Sequence, residues 1–180
     1  VVFPASISEI GSRAFNGCSG LTSVTLPEQT AKLDSYAFSD CTALQEIRLP
    51  ESLTQIESGA FYGCTVLTSV AVPGQVALLD SYLFSGCTSL KEVVLPESLT
   101  EIDYNAFNGC TALSEIVIPD SVTTISGYAF RNCTALTSVT LPASWETVST
   151  GTYSDRSPFA GCAALTELTI PSGMESIPDY

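Results

Sequence analysis

Apolar residues fall in fixed columns along this chain, and the columns repeat every 23 residues. One unit reads Pro50-Glu-Ser-Leu-Thr-Gln-Ile-Glu-Ser-Gly-Ala-Phe61-Tyr-Gly-Cys64-Thr-Val-Leu67-Thr-Ser-Val70-Ala-Val72. Phenylalanine marks the period at Phe15, Phe38, Phe61, Phe84, Phe107 and Phe130, and returns at Phe159 after a longer step. Cysteine follows three residues later each time, from Cys18 to Cys162, and proline keeps the same period from Pro4 to Pro142 and returns at Pro171 after the longer step. A fixed period between about 20 and 29 residues is the signature of a solenoid, in which each coil buries its apolar face only against its neighbours.

The segment Leu-x-x-Val-x-Leu-Pro predicts a short strand. Leu44, Ile47 and Leu49 point inward, as do Leu90, Val93 and Leu95, the last two positions of each set being two apart as strand pleating requires. Like strands of successive coils then lie side by side in a parallel sheet, and the proline ends each strand where no further ladder N–H is needed. Two more apolar columns lie three and six residues after each proline, for example Leu53 with Ile56 and Leu99 with Ile102. Trp145 stands in the first of them and is read as core. Ala-Phe-x-x-Cys reads as a brief helical turn. The column just before it holds Gly11, Asp34, Glu57, Asp80, Asp103 and Ser126, residue types that favour the start of such a turn.

Neighbouring units are not identical. Leu33-Asp34-Ser35-Tyr36 parallels Leu79-Asp80-Ser81-Tyr82, while residues 51–54 and 97–100 share Glu-Ser-Leu-Thr, so pairs of coils form a 46-residue super-repeat. The last phenylalanine step is 29 residues rather than 23, which places a six-residue insertion within 149–158. Residues 1–180 thus read as a single domain of about seven repeats with partial repeats at each end. Val1-Val2-Phe3-Pro4 matches the end of a repeat, as Val24-Thr25-Leu26-Pro27 does. An export signal and an anchor are therefore expected outside this segment, and the end coils are expected to be covered by terminal residues or a neighbour.

Composition narrows the function. The chain has 6 Lys+Arg against 19 Asp+Glu and no histidine, a net charge of −13 that repels phosphate and disfavours nucleic acid or anionic membrane as partners. No apolar run is long enough to span a bilayer, so no membrane insertion is expected within this segment. No glycine-rich phosphate loop and no Gly-x-Ser-x-Gly elbow is present, and a stacked column of carboxylates does not separate acid from base roles. The chain reads as non-enzymatic, with no cofactor.

The columns also carry a resemblance. Cys-x-x-Leu-x-x-Ile/Val-x-Leu-Pro-x-Ser-Leu/Val-x-x-Ile-x-x-x-Ala-Phe-x-x-Cys resembles the repeat of BspA-like (Treponema-type) leucine-rich-repeat surface proteins, most closely at Cys41–Cys64 and Cys110–Cys133. The resemblance covers essentially the whole chain. It implies a right-handed, β-rich leucine-rich-repeat solenoid with the parallel sheet on the concave face and short turns or one-turn helices on the convex face. It also implies a bacterial or protist protein that is secreted or attached to the cell surface, and adhesion to a protein ligand such as host matrix or another microbe's surface; the alternatives are a carbohydrate-binding module using an alternating tyrosine column, or a structural spacer that presents another domain. The family offers no shared catalytic residue.

Candidate sites lie off the regular columns. Arg48, Ala71, Val94 and Val117 share an outward strand column, in which Ala71, Val94 and Val117, flanked by Glu46, Glu92 and Glu115, make an apolar stripe with acidic edges suited to a partner with an apolar ridge and basic borders. Tyr36, Tyr82 and Tyr128 share one column in alternate coils. They form either a glycan or protein platform with rings about 10 Å apart, or covers for the neighbouring turn. The inserted segment adds Tyr153 and Arg156. Asp34, Glu57, Asp80 and Asp103 are weak candidates for a cation, since calcium favours clustered carboxylates, but no Asp-x-Asp-x-Asp-Gly loop accompanies them. The seven cysteines read as small buried hydrophobes whose thiols donate to backbone carbonyls. Coils about 4.8 Å apart keep stacked Cβ atoms beyond the roughly 3.8 Å that a disulfide needs, and a linear ladder does not converge on zinc.

Overall fold

The computed structural model describes residues 1–145, 157–172, 174 and 177. Thirteen short strands occur among them. In chain order they are β1 (Glu9–Ile10), β2 (Ser23–Thr25), β3 (Lys32–Leu33), β4 (Glu46–Arg48), β5 (Gln55–Ile56), β6 (Ser69–Ala71), β7 (Leu78–Leu79), β8 (Glu92–Val94), β9 (Glu101–Ile102), β10 (Glu115–Val117), β11 (Thr124–Ile125), β12 (Ser138–Thr140) and β13 (Glu167–Thr169). Each of the six coils from Pro4 to Pro119 carries a two-residue strand and a three-residue strand, and all pairing among the described residues is parallel between like strands of successive coils. The three-residue strands are those expected from Leu-x-x-Val-x-Leu-Pro. The two-residue strands are a second stack, built on the column six residues after proline. Proline connects the two: its carbonyl accepts the N–H three residues on, as in Thr30 to Pro27 (3.0 Å) and Leu53 to Pro50 (3.0 Å).

Of the short turns or one-turn helices expected here, the chain forms consecutive turns, and no helix occurs among the described residues. The reason is a left-handed residue at two points in the segment. One column is Arg13, Tyr36, Gly59, Tyr82, Asn105 and Tyr128; the other, four residues on, includes Gly17, Asp40, Gly63, Gly86, Gly109 and Asn132. A positive φ interrupts a right-handed helix, so the chain closes three-residue hydrogen bonds such as Ala37 to Asp34, Ser39 to Tyr36 and Cys41 to Phe38. The alternate amides point to the next coil: Tyr36 donates to Ser58 (2.9 Å), Phe38 to Ala60 (2.8 Å) and Asp40 to Tyr62 (2.6 Å). This turn face is the most regular seam of the solenoid.

The core runs along its axis. Phe38, Phe61, Phe84, Phe107 and Phe130 are wholly buried and stack almost parallel at centroid distances of 5.1 to 6.0 Å, with Phe15 and Phe159 continuing the stack at either end. Phe3 closes edge-on against Phe15 at 5.6 Å. Leu168 and Ile170 are exposed in the last described strand region. Trp145 is buried, as its column predicts. Each thiol from Cys41 to Cys133, and Cys162 as well, donates to the carbonyl of a phenylalanine in the preceding coil at 3.1 to 3.2 Å. All seven cysteines are free.

The strand ladders are not continuous. On the three-residue face β2 pairs β4, β6 pairs β8, and β10 pairs β12 and then β13, but no backbone ladder joins β4 to β6 or β8 to β10. On the two-residue face β1, β3 and β5 form one sheet and β7, β9 and β11 another, with the break between β5 and β7. The breaks alternate, so from the second coil to the fifth every junction keeps one strand ladder as well as the turn seam.

Candidate functional site on the strand face

Burial alternates along each three-residue strand, exposed–buried–exposed in β2, β4, β6 and β10, so the outer columns read from the sequence do face solvent. Glu46, Arg48, Ala71, Glu92, Val94, Glu115 and Val117 are all exposed. Register then decides which of them meet. Where the ladder is intact, each glutamate lies beside a serine: Glu46 beside Ser23, Glu92 beside Ser69, Glu115 beside Ser138 and Glu167 beside Ser138. Ala71 pairs with Val94, and Arg48 pairs with Thr25 rather than with the stripe.

The junction between β8 and β10 is different. In register, Glu92 falls opposite Glu115 and Val94 opposite Val117, and like charges directly opposite are unfavourable in a sheet. This is a junction without a strand ladder. Leu95 and Ser114, at positions whose counterparts Leu26 and Gln45 donate across an intact junction, donate to no carbonyl here. A cleft of about 510 Å³ opens at the break, with Val93 and Ile116 on its floor, Val94 and Val117 on its walls, and Glu92, Glu97, Glu115 and Lys91 around it. Val94 is 53% exposed and Val117 71%, both high for aliphatic side chains beside an open cleft. Sequence reasoning found the stripe but missed the cleft, and with it Glu97, Lys91 and Pro119. A signal was present: the outer column runs Ser23, Glu46, Ser69, Glu92, Glu115, Ser138, Glu167, and it places two glutamates in succession only at this junction. A second cleft, of about 310 Å³, marks the break between β5 and β7 and has Leu78, Ile56, Glu57 and Asp80 in its lining.

The tyrosines lie on the turn face. Tyr36, Tyr82 and Tyr128 all occupy the left-handed column and are half-buried. They do not stand as an isolated row 10 Å apart, because other tyrosines fill the intervals. Tyr36 meets Tyr62 edge-on at 6.5 Å, and Tyr82 meets Tyr104 edge-on at 5.5 Å, with Tyr104 and Tyr128 at 6.2 Å. Arg13 and Arg131 lie over the rings of Tyr36 and Tyr128 at 5.3 and 4.6 Å. Glycine is required at position 59, since a Cβ there would sit 2.4 Å from Cε1 of Tyr36. The large ring thus covers the turn of the next coil. Tyr153 and Arg156 lie outside the described residues.

The acidic column is interleaved with hydroxyls. Ser35 donates to Glu57 (3.0 Å), Ser58 to Asp80 (2.8 Å), and Ser81 and Ser126 to Asp103 (2.8 and 3.0 Å). Asp80 and Asp103 also accept the N–H of the following residue, which holds a turn rather than capping a helix. Lys32 bridges Asp34 and Glu57 at 2.6 and 2.7 Å. Hydrogen bonding to Lys32 holds both carboxyls below their ordinary range, and the two acids raise the lysine. Among the described residues no group of three or more Asp, Glu or Cys is arranged to hold a metal ion. Glu101 on the two-residue face moves the other way: burial pushes its carboxyl up, and Asp103 and Asp80 add to the shift. Burial likewise raises the Cys41 thiol to about 11 and the Cys87 thiol to about 12, which leaves these two thiols protonated and unreactive at neutral pH, whereas the hydrogen bond with Cys133 lowers the half-buried Cys162.

The repeat pattern matches the family model of the BspA type leucine rich repeat region in six copies, over residues 1–113 and 54–180. A leucine rich cell surface protein from Faecalibacterium prausnitzii A2-165 is 26% identical with a TM-score of 0.64, covering 94% of this chain and 52% of its own. The T. pallidum leucine rich repeat protein is 32% identical with a TM-score of 0.61, over 99% of this chain and 69% of its own. The pneumococcal vaccine antigen PcpA shares the fold at 17% identity, with a TM-score of 0.60 over 86% of this chain and 47% of its own. The chain thus spans about half the length of the cell surface protein it matches. No curated protein matches it.

Proposed function

Because this chain belongs to the BspA-type leucine-rich-repeat family, we propose that it is a non-catalytic binding module of a secreted or cell-surface protein, and that it holds a protein ligand on its strand face. The observation that carries this reading is the exposed valine pair, Val94 and Val117, beside an open junction rimmed by glutamates. Apolar side chains surrounded by a polar rim are what a recognition surface needs: the apolar part supplies affinity and the charges supply orientation and on-rate. The tyrosine face supports a glycan ligand less well, since its rings pack on one another and on neighbouring turns. Surface location draws support from the Faecalibacterium relative, which is described as a cell surface protein.

The test is binding of the purified domain to a panel of immobilised extracellular-matrix proteins, with a glycan array alongside. Saturable, salt-sensitive binding to at least one protein is expected. It should fall at least tenfold in V94E and in V117E, since burying one aliphatic side chain is worth about 1.5 to 3 kcal/mol and a misplaced carboxylate adds to the loss. The triple variant Y36A/Y82A/Y128A should bind as the parent does. Binding untouched by V94E and V117E, or a glycan signal lost in the triple variant, overturns the reading.

A further inference from the structure

We infer that the junction between β8 and β10 accepts an extended peptide segment of defined chemistry: a basic residue, then an apolar residue two positions along, then a second basic residue beyond it. The inference rests on the strand-face reading and gives the ligand's contacting segment a pattern. Three features of the cleft fix the order. Glu92 and Glu115 both line the cleft, one from each strand of a junction with no strand ladder, so a cation seated between the strands would meet a carboxylate from either side. Val94 and Val117 stand two residues further along the same strands, on the same outer face, with Val93 and Ile116 beneath them. Glu97 borders the far end beside Pro119. Side chains of an extended segment lying along the junction reach the glutamate pair and the valine pair at alternate residues, because a strand presents every second side chain to one face, and the segment's next outward side chain continues toward Glu97 beyond the strand end.

Other occupants fit less well. A second copy of this chain would bring another strongly acidic surface to an acidic rim, given the net charge of −13. A polyamine would satisfy the glutamates and leave the valines exposed. The intact junction between β6 and β8 shows the contrast, for there Glu92 lies beside Ser69 and Val94 beside Ala71 in a bonded ladder.

The probe is a blocked, fluorescently labelled peptide with leucine at its centre and lysine two positions to either side. Two controls replace the lysines by glutamate, or the leucine by serine. On the intact domain the lysine–leucine–lysine peptide should bind with a Kd of about 10 to 500 μM, at least tenfold tighter than either control. The double variant E92Q/E115Q, which alters only exposed side chains, should weaken it at least fivefold, and raising salt from about 50 to 300 mM should weaken it further. V117T, a conservative change at an exposed position, should weaken it while circular dichroism stays unchanged. A serine-centred peptide that binds equally well, spermine that competes as effectively as the peptide, or indifference to E92Q/E115Q would each overturn the inference. Absence of peptide binding to about 5 mM would also overturn it, yet loss of matrix-protein binding in V94E would then still uphold the strand-face reading.

Discussion

Truncating Phe84 to alanine should be far more damaging than truncating Phe15, and the difference follows from position in one stack. Phe84 is wholly buried, with Phe61 at 5.6 Å on one side and Phe107 at 5.5 Å on the other. Removing a buried phenylalanine costs about 3 to 5 kcal/mol, and two stacked partners, each worth about 0.5 to 1.5 kcal/mol, place this site at the upper end. Phe15 also has two ring partners, Phe38 stacked at 5.1 Å and Phe3 edge-on at 5.6 Å, but it is half-exposed, so a loss of about 2 kcal/mol is expected there. In a solenoid each coil is stabilised only through its neighbours, so a defect at the fourth coil also uncouples the two halves. Trp145 makes this visible, because it is the single tryptophan and lies in the C-terminal half. Urea unfolding followed by Trp fluorescence and by far-UV circular dichroism should coincide in the parent protein and separate in F84A. In F15A the two probes should stay together. Equal losses in the two variants, or a loss under about 2 kcal/mol in F84A with coincident probes, would refute nearest-neighbour stabilisation through the phenylalanine stack.

Gly59→Ala should destabilise by about 1 to 3 kcal/mol in urea titrations, since a side chain must adopt φ +62° and its Cβ meets the Tyr36 ring. Y36A/G59A should recover only the collision, leaving the backbone cost; a G59A protein of parental stability would contradict the close approach. Thiol titration with a disulfide reagent at pH 8 should find Cys18 reacting first in the folded protein and the buried thiols from Cys41 to Cys133 reacting only on unfolding; prompt reaction of Cys87 would contradict the burial that raises its pKa. The ion pairs of Lys32 lower the carboxyls of Asp34 and Glu57, so their stabilisation is fully present above their ordinary values of 3.8 and 4.5 and is lost as pH falls through the lowered ones. K32M should therefore be less stable than the parent at neutral pH, with the difference vanishing in acid. Glu101 has the opposite sign: its raised folded pKa means that ionisation costs stability above it, so E101Q should melt higher at neutral pH and not in acid.

Much of the architecture is legible in the columns because packing imposes them. Phe38 and Phe61 recur because their rings stack, Cys64 because a small thiol fits the core and reaches the Phe38 carbonyl, and Pro50 because its carbonyl closes the turn between two strands. Between a short turn and a one-turn helix the spacing of Ala-Phe-x-x-Cys does not decide, because the residues that prevent a helix in this coil are Tyr36 and Asp40 rather than glycine. Where the same column holds Gly63, Gly86 and Gly109, the left-handed turn could have been inferred. The two-residue strands such as Gln55–Ile56 escaped notice because they are too short for alternation to show. The cleft was hidden for another reason. The repeat pattern predicts an unbroken ladder, whereas the ladder stops between β8 and β10, where the outer column places Glu92 and Glu115 in succession.

The most direct test of the recognition site is a backbone amide chemical-shift map of the isotope-labelled domain during titration with the lysine–leucine–lysine peptide. The account predicts shifts centred on residues 92–97 and 115–118, saturating together, with the turn-face amides of Tyr36, Tyr82 and Tyr128 unmoved. Shifts centred on those tyrosines, or spread evenly over the acidic surface, would contradict it.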